Sequence, residues 1–304
     1  MRIYIVGLTV PSLLKYKVMF PTEQINVLLS FGRKDQDKWG FYVTHREKVN
    51  SIMLDSGAYT VNWSSRIPAH LTIERYIDYA VHYGQYVEFL FNLDSDFSVD
   101  GHYKDRINFQ NQVLLEAAGL DPVPVIHDIC RSEIRDYIGR GRHGMLAIGS
   151  SLLDDPIGMK IAIHRIHTAR IKVHLFGTTK FELLATNPVS SCDASTWSQE
   201  ATRGYILFWN PKRKGTSKTD HIQFTQYKKK LPGSHIRLEE YDFLGDLIDY
   251  LRNIFGFGLS DLQGKSGLLN RQIVNIHYFV KHQERINEEH RKRGFFARPD
   301  DTLM

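Results

Sequence analysis

Short apolar runs recur through the first 210 residues of this 304-residue chain, and stretches with helical spacing separate most of them. The runs are almost continuously apolar, which is typical of strands buried on both faces of a parallel sheet. Residues 72–83, 104–118 and 156–167 fit helices, and residues 178–184 predict a helix start with threonine as the cap. The predicted strands are residues 3–6, 27–31, 52–54, 87–93, 123–126, 146–148, 173–176, 189–192 and 205–209.

Alternation of strands and helices over about 200 residues fits either a doubly wound sheet or a (β/α)8 barrel. No GxGxxG or GxxxxGKS/T motif follows the first predicted strand, which argues against a dinucleotide site or a P-loop. Polar or small residues instead end several of the apolar runs, as the active site of a barrel requires. The sequence therefore predicts an α/β fold with a (β/α)8 barrel. These strand-end residues are Asp55, Asp94, His127, Gly149, Gly177 and Asp193.

The character of the chain changes after Trp209. Residues 210–218 form a basic segment with helix-breaking residues, and residues 238–255 and 268–290 have helical patterns. We therefore predict a barrel catalytic core at residues 1–210, followed by a basic loop and C-terminal helices packed on the barrel at residues 211–304. The first of these helices carries an apolar stripe that comprises Tyr241, Leu244, Leu247, Ile248, Leu251 and Ile254.

Composition marks an ordinary globular chain, with 42% hydrophobic and 24% charged residues. No apolar run is long enough to span a bilayer and the N-terminal segment lacks a signal-peptide pattern, so residence in the cytoplasm is expected. Cys130 and Cys192 are too few for a disulfide framework or a cysteine-based zinc site. None of the 14 histidines forms an HExxH motif, and His164 and His167 fit solvated helix positions.

Positive charge is concentrated in the C-terminal third of the chain. The formal net charge is +5, and residues 203–230 alone hold eight basic residues and one acidic residue. Localised basic charge of this kind suits a polyanion such as nucleic acid. The alternative is a solvated loop whose charge only keeps the protein in solution.

Two aspartates, Asp55 and Asp193, each follow an apolar run and precede small polar residues. If both lie at one end of a barrel, their carboxylates can do acid/base and nucleophilic work at a sugar carbon. The alternative is that each aspartate caps the helix that follows it, which is a frequent role for aspartate.

The order of the strand-end motifs resembles that of the tRNA-guanine transglycosylase superfamily, whose catalytic domain is a (β/α)8 barrel. The similarity covers roughly residues 50 to 200. Asp55-Ser56-Gly57-Ala58-Tyr59 resembles the family motif Asp-Ser-Gly-Gly-Phe/Tyr, and Leu93-Asp94 stands where the family has a base-recognising aspartate. Val125-Ile126-His127 stands where the family usually has Val-Gln-Gly, and Ala147-Ile148-Gly149-Ser150 resembles Ala-Ile-Gly-Gly. His174-Leu175-Phe176-Gly177 resembles Tyr-Leu-Met-Gly, and Ser191-Cys192-Asp193 resembles the segment that holds the nucleophile.

Departures from the family pattern favour one of its branches. The chain has no cysteine after Cys192, so it lacks the zinc subdomain of the tRNA enzymes, and Ala58 and His127 replace a glycine and a glutamine. These features are more similar to the 7-deazaguanine DNA transglycosylases of phage and bacterial DNA-modification systems. That resemblance implies exchange of guanine in DNA for a free 7-deazaguanine base, such as 7-cyano-7-deazaguanine, in the cytoplasm of a bacterial host. It also implies no metal or organic cofactor and no membrane, and it suggests partner proteins from the same modification system.

The resemblance also implies a role for each motif. Asp193 would be the nucleophile that holds the sugar, and Asp55 would be the general acid/base. Asp94, or its neighbour Asp96, would read the Watson–Crick edge of guanine. The remaining base-binding residues would be Ser56, Gly57, Tyr59, His127, Gly149, Ser150, Phe176 and Gly177, with backbone N–H groups at Gly149 and Ser150 and stacking by Tyr59 and Phe176. Phosphates of the nucleic acid would contact Arg203, Lys212, Arg213, Lys214 and Lys218.

Three alternatives remain open from the sequence. The substrate polymer could be tRNA, read by a zinc-free enzyme of the same superfamily. A barrel N-glycoside hydrolase would use the same two carboxylates and let water resolve the intermediate. The chain could also be a catalytically silent nucleic-acid-binding partner, although the presence of both aspartates argues against this.

Overall fold

A nearly closed barrel of parallel strands forms the main body of the protein. The computed structural model describes residues 1–34, 36–58, 71–94, 105–130, 132–149, 155–216, 218–224 and 235–295. The strands lie in the spatial order β5-β4-β3-β2-β1-β9-β8-β7-β6, and every neighbouring pair is parallel. They are β1 (Arg2–Val6), β2 (Asn26–Ser30), β3 (Ser51–Asp55), β4 (Phe89–Phe91), β5 (Pro122–Val123), β6 (Val125–Ile126), β7 (Met145–Ile148), β8 (Lys172–Leu175) and β9 (Ser191–Ala194).

The two edge strands, β5 and β6, are consecutive pieces of one extended segment. Pro124 separates them, because proline has no N–H to donate to a strand ladder. The Val123 carbonyl accepts from Asn92 N on one side (3.0 Å), and the Pro124 carbonyl accepts from Ala147 N on the other (2.9 Å). The sheet therefore meets itself across a single segment, which confirms the predicted α/β barrel.

Helices alternate with the barrel strands. The helix predicted over residues 72–83 is α2, which begins at Ile73, and the Thr72 hydroxyl caps it by accepting from Arg75 N. The predicted threonine cap near residue 178 is wrong, because α6 begins at Phe181 with Lys180 at the cap position and no capping side chain. The two threonines lie instead in the turn that connects β8 to α6. The helices are α1 (Val10–Met19), α2 (Ile73–Tyr83), α3 (Asp105–Ala117), α4 (Glu133–Gly139), α5 (Pro156–Thr168), α6 (Phe181–Thr186) and α7 (Thr196–Thr202).

Side chains of alternate residues fill the inside of the barrel, as the period of a strand requires. The interior cluster packs large and small side chains together, and Phe176 covers it at the carboxyl end. The outward-facing residues of the same strands join a larger core beneath the helices. The interior residues are Tyr4, Leu28, Met53, Phe91, Val123, Val125, Met145 and Ala147.

A C-terminal extension follows α7. The apolar run at residues 205–209, which lies within the segment predicted as barrel, pairs antiparallel with β11 and so belongs to a separate three-stranded sheet. The predicted helix at 238–255 begins later, because residues 238–240 form a 3-10 turn. The extension comprises β10 (Tyr205–Trp209), β11 (Thr219–Gln223), β12 (His235–Arg237), α8 (Leu244–Phe255) and α9 (Leu268–Arg293).

The long helix α9 fastens this extension to the barrel through buried polar contacts. Gln283 Oε1 accepts from Ile3 N (2.7 Å), and Asn275 accepts from Leu207 N (2.8 Å) while donating to the Trp197 carbonyl (3.0 Å). Buried polar groups that are paired in this way avoid the desolvation penalty of unpaired ones. In the part of the chain that the structure describes, no helix is long and apolar enough to cross a membrane.

Candidate active site at the carboxyl end of the barrel

Three carboxylates lie at the carboxyl end of the barrel strands. Asp55 is the last residue of β3, Asp193 lies on β9, and Asp94 follows β4. The charges of Asp94 and Asp193 both raise the pKa of Asp55, so both carboxylates lie within electrostatic reach of Asp55. Convergence at this end is expected, because parallel barrel strands deliver their final residues to one face.

Asp55 is poised near neutral pH. Asp55 is half-buried, and its carboxylate accepts hydrogen bonds from Ser30 Oγ (3.1 Å) and Gly57 N (3.0 Å). Burial, followed by the charges of Asp94 and Asp193, raises the pKa of this carboxyl to about 7 and outweighs the two hydrogen bonds. A carboxyl with such a pKa can both give and take a proton at physiological pH, as general acid/base catalysis requires.

Asp193 is held at the mouth by a backbone donor. Its Oδ1 accepts from Gly177 N (2.7 Å) in the turn after β8. Gly177 has a φ of +66°, a conformation that glycine adopts without strain. His174 Nε2 lies 3.8 Å from the same oxygen. The alternative role as a helix cap is wrong for Asp193, because Ser195 occupies the cap position of α7 and no side chain caps it.

Asp94 forms a buried pair with His127. Asp94 Oδ2 lies 2.7 Å from His127 Nε2, and both side chains are more than nine-tenths buried. The backbone on each side is also anchored: Glu133 accepts from His127 N (2.8 Å), and Asn111 donates to the Leu93 carbonyl (2.6 Å). In this geometry His127 orients Asp94, and the predicted role of His127 in binding the base stays a prediction.

Two glycines of the predicted site allow close packing that a Cβ atom would prevent. The backbones of Gly57 and Gly32 pack so closely that a Cβ on Gly57 would lie 2.6 Å from Gly32 Cα. A Cβ on Gly149 would lie 3.0 Å from His127 Nδ1. The expected role of Gly149 as a backbone donor to the base is wrong, because its N–H already donates to the Ile126 carbonyl (2.9 Å) in the barrel ladder.

Aromatic rings form the floor beneath the carboxylates. The Phe176 ring centroid lies 4.7 Å from that of Phe91 and 4.6 Å from that of His174, and Phe176 is half-buried. Such a surface can stack a planar ligand. Ser56 is fully buried, and its hydroxyl has no hydrogen-bond partner among the residues that the structure describes. Tyr59, Asp96 and Ser150, also predicted to bind the base, lie outside the described residues.

The basic loop after β10 lies at the same end of the barrel. Thr216 donates to Glu182 at the start of α6 (3.3 Å), the helix that leaves the carboxyl end of β8. Some of its charge is engaged internally: Lys212 pairs with Asp246 (2.9 Å), and Arg213 pairs with Asp220 (2.8 Å).

The other predicted phosphate contacts differ in exposure. Lys214 is exposed on the loop, and Lys218 is half-buried and donates to the Pro211 carbonyl (3.2 Å). Arg203 is exposed at the end of α7, where it lies 3.8 Å from Glu200. Lys214 is therefore an exposed cation of the loop at this end that a phosphate backbone can reach.

Sequence reasoning missed two residues of the site. Ser30 lies opposite Asp55 in the strand register and donates to it, and fully buried His174 stands between Asp193 and Phe91 while contacting Ser191 Oγ (2.9 Å). The alternation of strands offered a signal for His174, because it is two residues before Phe176 and therefore on the same face.

Comparisons with known proteins do not add to these observations. No protein-family model matches the chain, and no curated protein matches it. One similar solved structure is a cube-shaped, highly porous protein cage designed by fusing symmetric oligomeric domains. It has 11% sequence identity and a TM-score of 0.45, over 97% of this chain and 76% of the cage chain. A likeness at this level carries no argument about function.

Proposed function

We propose that this chain is a transglycosylase that exchanges guanine in DNA for a 7-deazaguanine base through a covalent aspartyl intermediate. The observation that carries this proposal is the convergence of Asp55, whose pKa is about 7, with Asp94 and Asp193 at the mouth of a barrel. A carboxyl with a pKa near neutral can exchange a proton with the base, and a neighbouring carboxylate can act as the nucleophile. The ordered motifs of the sequence supply the choice of guanine as the leaving base.

In the first half of the proposed reaction, Asp193 attacks C1′ of the deoxyribose. A carboxylate–C1′ bond forms, the bond from C1′ to guanine breaks, and protonated Asp55 gives its proton to the departing base. In the second half, ionised Asp55 takes a proton from the incoming 7-deazaguanine, whose nitrogen attacks C1′ and releases Asp193. Two displacements retain the configuration of the sugar.

Recognition of the base would rest on Asp94. With one oxygen oriented by His127 at 2.7 Å, the carboxylate can accept hydrogen bonds from N1–H and the 2-amino group of guanine. Phe176 would support the face of the base, which must leave the helical stack of DNA to reach the barrel mouth. The exposed cations near the same end would hold the backbone without reading its sequence.

Incorporation of labelled 7-cyano-7-deazaguanine distinguishes the candidate reactions. The purified chain is incubated with the label and either DNA or tRNA, and the nucleosides are analysed by mass spectrometry. Label in DNA is expected. Label in tRNA alone would replace the DNA assignment with the tRNA one, and release of guanine without uptake of label would identify a hydrolase.

The nucleophile is tested by trapping. Wild-type protein stopped during turnover should carry DNA covalently, whereas Asp193→Asn should carry none and should still bind DNA. Asp249→Asn, which changes an exposed carboxyl on α8, is the matched control and should trap DNA like the wild type. An adduct of undiminished yield in Asp193→Asn would exclude the proposed nucleophile.

Contact with the DNA backbone is tested by salt dependence. Affinity for DNA should fall less steeply with salt when exposed Lys214 is replaced by alanine. The negative slope of log affinity against log salt concentration should become smaller in magnitude by about 1, the value for one lost phosphate contact. Lys160→Ala, which removes an exposed lysine on α5, should leave the slope unchanged. Equal slopes for wild type and Lys214→Ala would remove this residue from the proposed backbone contacts.

A further inference from the structure

A second cluster of chemically capable side chains lies outside the barrel. Glu200 is on α7, and His221 and His235 are directly opposite each other on the parallel strands β11 and β12. One ligand atom from each of the three residues lies within 4.8 Å of the other two. Residues opposite each other on neighbouring strands share a face of the sheet, so both imidazoles point to the side on which Glu200 lies.

The spacing of these atoms fits a metal ion. Glu200 Oε2 lies 3.2 Å from His235 Nε2 and 3.6 Å from His221 Nδ1. In a tetrahedral site with metal–ligand bonds of about 2.0–2.2 Å, neighbouring ligand atoms are about 3.3–3.6 Å apart. The distance from Glu200 Oε2 to His221 Nδ1 is too long for a hydrogen bond. The buried His221 Nδ1 has no hydrogen-bond partner among the residues that the structure describes.

The surroundings orient the ligands and leave one side open. Arg203 lies 3.8 Å from the other oxygen of Glu200, Oε1, so Oε2 faces the two histidines. The edge of the Tyr205 ring contacts His235, with 4.6 Å between centroids. The side chains of Glu200 and His235 are 8% and 11% exposed, and that of His221 is 28% exposed. Solvent therefore reaches the cluster from the side of His221.

The chemistry of the three side chains suits the same role. A carboxylate and two imidazoles are the forms in which these residues bind metals. Two histidines and a carboxylate with an open fourth position are a donor set that zinc occupies in proteins.

We propose that Glu200, His221 and His235 bind one zinc ion that joins α7 to the small sheet. The ion has three protein ligands and an exposed position for water. Because α7 directly follows β9, which carries Asp193, the site connects the extension to the strand of the candidate nucleophile. It lies apart from the carboxylates at the barrel mouth and takes no part in the proposed exchange, so it stands independently of that proposal. Sequence motifs did not reveal it, because its ligands are widely separated in the chain.

Metal titration of the full chain tests the proposal. Protein stripped with a chelator is titrated with Co²⁺, whose visible absorption reports coordination, and zinc is then added in competition. We expect one equivalent of Co²⁺ to bind, zinc to displace it, and zinc to raise the melting temperature of the stripped protein. The proposal would be overturned if neither ion bound stoichiometrically to the wild-type chain. This measurement uses the wild-type protein alone, so it does not depend on whether a variant folds.

Substitutions locate the site. His221→Ala and His235→Ala should each weaken Co²⁺ binding by more than about 100-fold, because each variant removes a direct ligand and the loss of a residue that only supports a ligand costs about 10–100-fold. His82→Ala, which removes an exposed histidine of α2, is the matched control and should bind like the wild type. Unchanged binding in the His221→Ala His235→Ala double variant would also overturn the proposal, because the metal would then lie elsewhere.

Discussion

Replacing Asp55 by asparagine should stabilise the protein at alkaline pH while removing a proposed catalytic group. The pKa of this carboxyl is about 7 in the folded protein, compared with 3.8 for an unperturbed aspartate. The folded state therefore binds the proton more tightly than the unfolded state, and the free energy of unfolding falls as pH rises from about 4 to about 7. A shift of this size is equivalent to about 4 kcal/mol once the group is fully ionised, at about 1.4 kcal/mol per pH unit.

Asparagine keeps the shape and can keep both hydrogen bonds, because its side-chain oxygen can accept from Ser30 Oγ and Gly57 N. The difference in unfolding free energy between Asp55→Asn and wild type should be small near pH 4 and grow through pH 7. It should reach about 4 kcal/mol in favour of the variant at pH 8. Taking the difference between two proteins at each pH cancels the titration of groups that the substitution does not affect.

Chemical denaturation followed by circular dichroism at pH 4.5, 6, 7 and 8 measures this difference, provided that the transition is cooperative. Asp249→Asn, at an exposed position of α8, is the control and should stay within about 0.5 kcal/mol of wild type at every pH. A difference for Asp55→Asn that does not depend on pH, or that favours wild type at pH 8, would refute the argument that burial and neighbouring carboxylates raise this pKa.

Two further substitutions test the geometry of the mouth. Gly57→Ala should destabilise the protein by about 2–5 kcal/mol in denaturation, because Gly57 has a φ of +87° and its new Cβ would meet Gly32 Cα at 2.6 Å. Gly119→Ala, at a φ of +82° with nothing within 4 Å, should lose only about 1–2 kcal/mol, and equal losses would contradict the close approach. His127→Leu should lose about 3–5 kcal/mol by leaving the buried Asp94 without this partner. His127→Gln, which keeps a donor, should lose less, and identical losses would show that the pair does not matter.

The barrel was predictable because its signals are local and repeated. Each apolar run is long enough to identify a strand, and the strands' common direction then follows from their alternation with helices. The convergence of Asp55, Asp94 and Asp193 follows from the same reasoning, since parallel strands end at one face. The pattern at residues 205–209 could not distinguish a further barrel strand from a strand of another sheet, because both bury a continuous apolar run.

Pairing across the sheet was not predictable, because it depends on register. Nothing in the sequence shows that Ser30 stands beside Asp55, that Gly177 donates to Asp193, or that His127 faces Asp94. The same limit applies to charge. Arg213 counts toward a basic segment in the sequence, yet in the structure it pairs with buried Asp220 and packs over the Phe243 ring.

Two buried polar regions of the described structure differ in how their charged groups are satisfied. In the extension, Arg271 donates to three backbone carbonyls, so a buried cation there is satisfied by neutral acceptors. At the barrel mouth, Asp55 lies within reach of two further carboxylates, and burial together with their repulsion raises its pKa. Selection for stability alone favours the first arrangement, because unsatisfied or repelling charges oppose folding. A carboxyl kept in an unfavourable environment at the barrel mouth supports the acid/base role that we propose for Asp55.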